Sequence, residues 1–235
     1  MGGEMRRARR GNASDGWPQA PRVGDGRALA EIGAADVRAE NTIEGGALRR
    51  LQVPGVIAQD LVIRGCEVAS LGAASAVLVR SVLEDSRLDA CDFVGATMER
   101  SRWTRLAFSG CRLSGANLDG SALHDVAFVD CQLEHLRLQG ARLRQVSFVR
   151  CMMRGAYLMD STLERVRMID CDLRAMDLRH ASLTGVDLRQ SRLEETVLDV
   201  GQFAGLTVTT EQALDLAIRI GGLSVDDRVV TSGRL

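Results

Sequence analysis

The sequence is poor in aromatic rings, nearly free of proline and devoid of lysine. Of its 235 residues 3% are aromatic (five Phe, two Trp and one Tyr), and only three are Pro. Ordinary cores fill volume with large rings, so a core built mainly from Leu, Val, Ala, Cys and Ser has to be narrow. Charge of one sign is also missing: 30 basic residues, all Arg, face 31 acidic ones, for a net charge of −1. Gripping phosphate needs a concentrated basic surplus, which excludes the simplest nucleic-acid-binding reading, and the simplest acidic reading goes with it. No run of 18 apolar residues exists to span a bilayer. Met1–Arg10 carry charge without a following apolar stretch, so no secretory signal is expected either. P-loop, GxGxxG, GxSxG and HExxH motifs are all absent. What remains is 46% hydrophobic, as a globular chain requires.

Residues 1–40 are rich in Gly, Ala and Arg, hold Pro18 and Pro21, and show no sustained periodicity. They read as a flexible leader whose Arg6, Arg7, Arg9 and Arg10 are a solvated tail. From Ile43 a different order takes over. Every fifth residue, through Leu48, Leu88, Trp103, Leu143 and Leu183 to Val208, is apolar, 34 positions without exception. At the chain's overall apolar frequency, chance gives this on the order of once in 10¹¹. Two residues before each lies a second uncharged and mostly small residue, such as Cys91, Ala96, Ser101 and Leu106.

A period of five matches neither helix nor strand, but two inward residues flanking one outward residue make a short extended side, followed by a turn. Cysteines at 91, 111, 131, 151 and 171 and bulky residues at Phe108, Phe128, Phe148 and Met168 show a longer period of twenty, so four sides make one coil. Cys91, Cys111, Cys131, Cys151 and Cys171 then form a ladder of buried thiols. They behave as small hydrophobes, because zinc ligands come in closer pairs. No metal or other cofactor is expected. Six cysteines without an export signal suit a reducing cytoplasm.

Runs such as Ala116-Asn117-Leu118-Asp119-Gly120, Cys171-Asp172-Leu173-Arg174-Ala175 and Ala181-Ser182-Leu183-Thr184-Gly185 resemble the A(D/N)LXX motif of pentapeptide-repeat proteins. The similarity covers residues 41–210, or 170 of 235. It implies an all-β solenoid, the family's right-handed quadrilateral β-helix, filled by the central Leu or Phe and the small residue before it. About 8.5 coils spaced ~4.8 Å apart give a rod roughly 40 Å long. Ala58 and Ala73 are weak central residues and Pro54 lacks a donor, so the first two coils are expected to be irregular. Such a filled interior leaves no cavity. The domains are therefore a leader (1–40), the β-helix (41–208) and a C-terminal segment (209–235).

That last segment starts with Thr209-Thr210-Glu211-Gln212, a capping box. Ala213, Leu214, Leu216, Ala217, Ile218 and Ile220 follow, and Gly221-Gly222 stops the run. The pattern predicts a two-turn helix, apolar nearly all round and buried. Leu214, Leu216, Ile218 and Ile220 would plug the open end of the rod or join two rods in a homodimer.

On the outside, residues twenty apart stack. Val129, Val149 and Ile169 form an outward apolar column, and Arg102, Arg105, Arg142, Arg144 and Arg165 form a basic side with few acids. Both are candidate interaction surfaces. Asp92, Asn117, Asp172, Asp177 and Asp187 precede central residues and should bond turn backbone. His124, His135 and His180 do not converge, so no enzyme is expected.

Most members of the family lack an assigned activity, which implies a non-enzymatic interaction rod with an unassigned protein partner. Rods of the Qnr and MfpA types protect DNA gyrase from quinolones, the latter interpreted as a duplex-DNA mimic. The resemblance thus offers DNA gyrase as the alternative partner. Residues 41–210 hold 20 Arg against 21 acids, however, and mimicry of a polyanion calls for net negative charge along one face. No direct nucleic-acid or membrane contact is expected.

Overall fold

The computed structural model describes residues 18–23 and 30–224, so most of the Arg-rich leader and the last eleven residues lie outside the described residues. The repeat winds into a β-solenoid of about nine turns. Four successive long strands, Arg102–Ser109, Ala122–Val129, Arg142–Val149 and Thr162–Ile169, stack in parallel with a register of twenty: Trp103 on Leu123, Leu123 on Leu143, Leu143 on Leu163. Each covers two sides. The other two sides are turns joined to the next coil by single bridges, such as Asp92 to Arg112 and Asn117 to Arg137.

Corners fall every fifth residue. From Glu40 to Glu195 each has positive φ, and 22 of these positions are not glycine. An L-residue there costs about 1–3 kcal/mol and persists only where its surroundings hold it. Here they do, because the corner amides donate to the following coil: Arg100 N–H to Asp119 O at 3.0 Å, His135 N–H to Arg154 O at 3.0 Å.

The interior is narrow. Central residues and the small residues two before them are buried along the length of the rod. Trp103, Phe108, Phe128 and Phe148 form a stack with centroid separations of 5.1, 4.8 and 4.9 Å. The last two match the ~4.8 Å spacing of neighbouring strands, so the coil pitch sets the stacking distance. All six cysteines are buried free thiols. The backbone N–H of Cys91 donates to Cys111 Sγ at 3.3 Å, and the Cys111 thiol donates to Leu88 O at 3.3 Å. Burial pushes the Cys66 thiol up, and all six side chains, at 2% exposure or less, serve as packing groups.

Four expectations need correction. The solenoid starts before residue 41: Ala30–Glu31 already pairs with Gly46–Ala47, and Val37 is buried in the core. Ile32 and Val37 are five apart but one residue out of phase with Ile43, so the frame that finds the later coils passes over them. The early coils are also regular. Pro54 occupies a turn position whose donor is not used between coils, and Gln52 and Ile57 bridge to Gly72 and Val77 in register.

Thirdly, the interior is not completely filled, and the weak central residue Ala73 borders the gap. A small apolar cavity of about 30 Å³ is lined by Leu48, Val53, Ala73, Leu78 and Trp103 among others. Trp103 Nε1 and Ser81 Oγ lack a hydrogen-bond partner among the described residues.

The fourth correction concerns the C-terminal helix, which spans Thr210–Arg219, nearer three turns than two. Its capping box forms as expected, with Gln212 N–H donating to Thr209 Oγ1 at 3.2 Å. It is amphipathic rather than buried all round. Leu216 is buried and Ile220 half-buried on the rod, whereas Leu214 and Ile218 point away, 46% and 45% exposed. Leu214 and Ile218 are four residues apart on one helix face, so only the opposite face can meet the coil end.

The helix and the segment before it close the solenoid chemically. Inside the rod, central carbonyls accept a hydroxyl or thiol from 23 residues on, as Ser121 Oγ does to Met98 O and Ser191 Oγ to Met168 O. The last turn has no following coil, and other groups take that place. Gln202 Nε2 donates to Leu178 O at 2.7 Å, Gln212 Nε2 to Leu188 O at 2.9 Å and Arg219 Nη2 to Leu193 O at 3.0 Å. At the remaining side Gly205 packs so tightly on the Leu183 carbonyl that a Cβ would collide with it. The central carbonyls at Leu178, Leu188 and Leu193 are thus capped by side chains and that at Leu183 is covered by Gly205.

Candidate interaction surfaces

Val129, Val149 and Ile169 lie in register on adjacent strands of the continuous ladder. All three are half-buried, so they form a shallow apolar stripe rather than a raised patch. Ser109 precedes them in the same column.

The arginine side is less basic than its arginines suggest. Arg105 sits on Asp85 through Nε at 2.6 Å and on Glu84 through Nη2 at 2.6 Å. Glu164 takes both Arg144, at 3.5 Å, and Arg165, at 3.4 Å. Arg102 and Arg142 remain exposed and have no ion-pair partner among the described residues. Pairing between coils is general. Arg80 holds Asp60, Arg112 holds Asp92 at 2.9 Å and Arg150 holds Asp130 at 2.7 Å, each across one coil. The guanidinium fork grips a carboxylate bidentately, as Arg150 does through Nε and Nη2.

The Asx residues serve the turns. Asp92 Oδ1 accepts from Val94 N–H at 3.0 Å, Asn117 Oδ1 from Asp119 N–H at 2.9 Å, and Asp172, Asp177 and Asp187 do the same two residues on. Their carboxylates also take the guanidinium of Arg174, Arg179 and Arg189. Asp60, Asp85, Asp130, Asp172, Asp177 and Asp187 are consequently all held below the usual carboxylate range, in each case chiefly by the arginine hydrogen bond. Since the folded-state values lie below the unfolded value of 3.8, this stabilisation is complete above that pH and is lost as pH falls through the lowered folded values. The melting temperature should therefore stay flat from pH 8 to about 5 and drop below about pH 4, by less in molar salt because these pairs are largely exposed. Thermal melts across that range measure it.

His124 stands 3.7 Å from Asp125 and His180 3.5 Å from Asp199, on different coils. No group of three His, Cys, Asp or Glu able to hold a metal occurs among the described residues. No described helix is long and apolar enough to cross a membrane.

One feature is invisible to the repeat pattern. Asp125, a corner residue, is only 2% exposed, and the backbone N–H of Gln19 donates to its Oδ1 at 3.2 Å. Two coils back along the same corner, Arg22 N–H donates to Asp85 Oδ1 at 3.2 Å. Residues 18–23 thus lie along the rod. The spacing of Pro18 and Pro21 is the only sequence signal for this path.

The family comparison fits the twenty-residue register. A pentapeptide repeat region model matches residues 101–174, and a model of eight pentapeptide repeats matches residues 156–198. The chain belongs to the pentapeptide-repeat family. No curated protein matches its sequence. Among solved structures, this pentapeptide-repeat chain is similar to QnrB1, a plasmid-mediated fluoroquinolone resistance protein. Identity is 18%, 85% of this chain and 99% of that chain are covered, and the TM-score is 0.39. HetL, a pentapeptide-repeat protein involved in heterocyst differentiation regulation from the cyanobacterium Nostoc sp. strain PCC 7120, is 15% identical over 72% of this chain and 85% of its own, with a TM-score of 0.22. Rfr23 from the cyanobacterium Cyanothece 51142 is 18% identical over 69% and 91%, with a TM-score of 0.19.

Proposed function

We propose that this pentapeptide-repeat rod is a non-enzymatic protein-interaction module of the cytoplasm, dimeric through its C-terminal helix. The observation that carries this reading is the Val129–Val149–Ile169 stripe, three apolar side chains in register on the outer face of the most regular part of the solenoid. The inward positions are occupied by packing residues, and the acids and arginines that repeat along the sides are engaged in turns and inter-coil pairs. What is left to contact a partner is the outer surface, which carries the stripe at one end of the long strands and Arg102 and Arg142 at the other. Six free buried thiols suit a reducing compartment.

Val149→Asp places a charge in the middle of the stripe without touching the core. Affinity capture from the native cytoplasm is expected to recover a partner with the original chain and to lose it with Val149→Asp, while the circular dichroism spectrum is unchanged. Equal recovery by both would remove the stripe from the reading.

The alternative is DNA gyrase as partner, with protection from fluoroquinolone-type inhibitors by DNA mimicry. The corner and side carboxylates speak against mimicry, because Asp60, Asp85, Asp92, Asp119 and Asp130 are each held by an arginine rather than presented as a row of free anions. A supercoiling assay with gyrase and a fluoroquinolone is expected to show no protection at stoichiometric protein. Protection there would favour the alternative.

A further inference from the structure

Asp85, Arg105 and Asp125 follow one another at one corner of three successive coils, twenty residues apart. Arg105 is committed to Asp85 and Glu84. Among the described residues Asp125 has no arginine partner; its partners are the Gln19 N–H and, at 3.7 Å, His124. A carboxylate whose side chain is only 3% exposed needs donors, and one of them here comes from outside the solenoid. Pro18, Pro21 and Val23 are half-buried, whereas Gln19, Ala20 and Arg22 are exposed, so the segment rests on the rod by its prolines.

The distances match. Asp125 and Asp85 are two coils apart, about 9.6 Å at ~4.8 Å per coil. The donors Gln19 and Arg22 are three residues apart, and a polyproline-type helix rises about 3.1 Å per residue, or ~9.3 Å over three. Its threefold symmetry also points every third N–H the same way, whereas a β-strand would turn the second donor to the opposite face. Proline at 18 and 21 fixes φ for this conformation and leaves the N–H groups of Gln19 and Arg22 in place.

We propose that the Asp85–Arg105–Asp125 corner is a docking track for an extended, proline-spaced segment with a free backbone N–H at every third residue, and that the chain's own residues 18–23 occupy it. Recognition comes from matching the coil pitch to the polyproline rise, with carboxylates on alternate coils as acceptors. A partner peptide with the same Pro-x-x-Pro spacing competes with the resident segment for the track.

Amide exchange in the full-length chain tests the contact without any variant. Gln19 and Arg22 should exchange at least tenfold more slowly than Ala20, whose N–H has no acceptor on the track. Equal rates at the three amides would overturn the proposal. The track itself is tested with the full-length double variant Gln19→Pro/Arg22→Pro, which keeps the polyproline conformation and removes both donors. A labelled peptide Pro-Gln-Ala-Pro-Arg-Val, followed by fluorescence anisotropy, should bind this variant at least tenfold more tightly than it binds the original chain. A peptide with one extra Ala between the prolines should not bind. Absence of binding up to millimolar peptide, or indifference to the inserted Ala, would refute the spacing rule.

Discussion

Leu143→Asp is expected to break the solenoid at its middle. Leu143 is 1% exposed and stacked between Leu123 and Leu163, so the substitution loses a buried aliphatic side chain and puts a carboxyl where it has no partner. The first term alone is worth roughly 2–5 kcal/mol, and burying an unpaired polar group adds a penalty of about 1–3 kcal/mol or more. A domain of this kind has ~5–15 kcal/mol in total. Because each coil is stabilised only by its neighbours, the damage is local at first and divides the rod into two shorter stacks. Amide exchange should show lost protection centred on residues 123–163, and chemical denaturation should shift to a much lower midpoint. Arg144→Ala, one residue along and pointing outward, gives up only its exposed pair with Glu164, about 0.5 kcal/mol or less. Comparable losses at the two positions would contradict the register.

Replacing Leu214 and Ile218 together by Glu is expected to split the proposed dimer into monomers. The two side chains face away from the coil end, and Val197, Val200 and Leu223, also toward the C-terminus, are 44%, 57% and 53% exposed. Central apolar anchors of an interface typically contribute 2 kcal/mol or more each, so the pair should weaken association by about a thousandfold. Light scattering should give twice the 25.4 kDa chain mass for the original protein and the single mass for the variant. Thermal stability of the monomer should barely change, since neither side chain is buried within one chain. A monomeric original protein would end the dimer reading.

The repeat was legible because its constraint is local and strict: every fifth side chain enters a space that admits one modest group. The thiol ladder and the Asx turns followed from the same frame. Ile32 and Val37 were not legible, since they keep the spacing but lose the phase. The corners were hidden for another reason. Some corners are Gly, but Arg, Asp, His and Gln at most of the others mask the positive φ, and it is the hydrogen bonds to the next coil that hold them there. The helix pattern showed apolar residues on two faces, which alone does not tell which face meets the rod. The inter-coil ion pairs were implicit in the columns, because Asp60 and Arg80, or Asp130 and Arg150, are twenty apart; counting net charge per side conceals them. The contact of Gln19 with Asp125 spans 106 residues and depends on the path of a segment outside the repeat.

The constancy of the corners makes length and rotation separate variables. Removing twenty residues from the middle of the rod would shorten it by one layer and leave every outward column aligned across the join. Removing five would shorten it by a quarter of a layer and turn everything beyond by one side, so that the Val129 stripe would continue into a different column. Recombination in units of twenty can therefore lengthen or trim such a rod as a ruler, without redesigning the surfaces it carries.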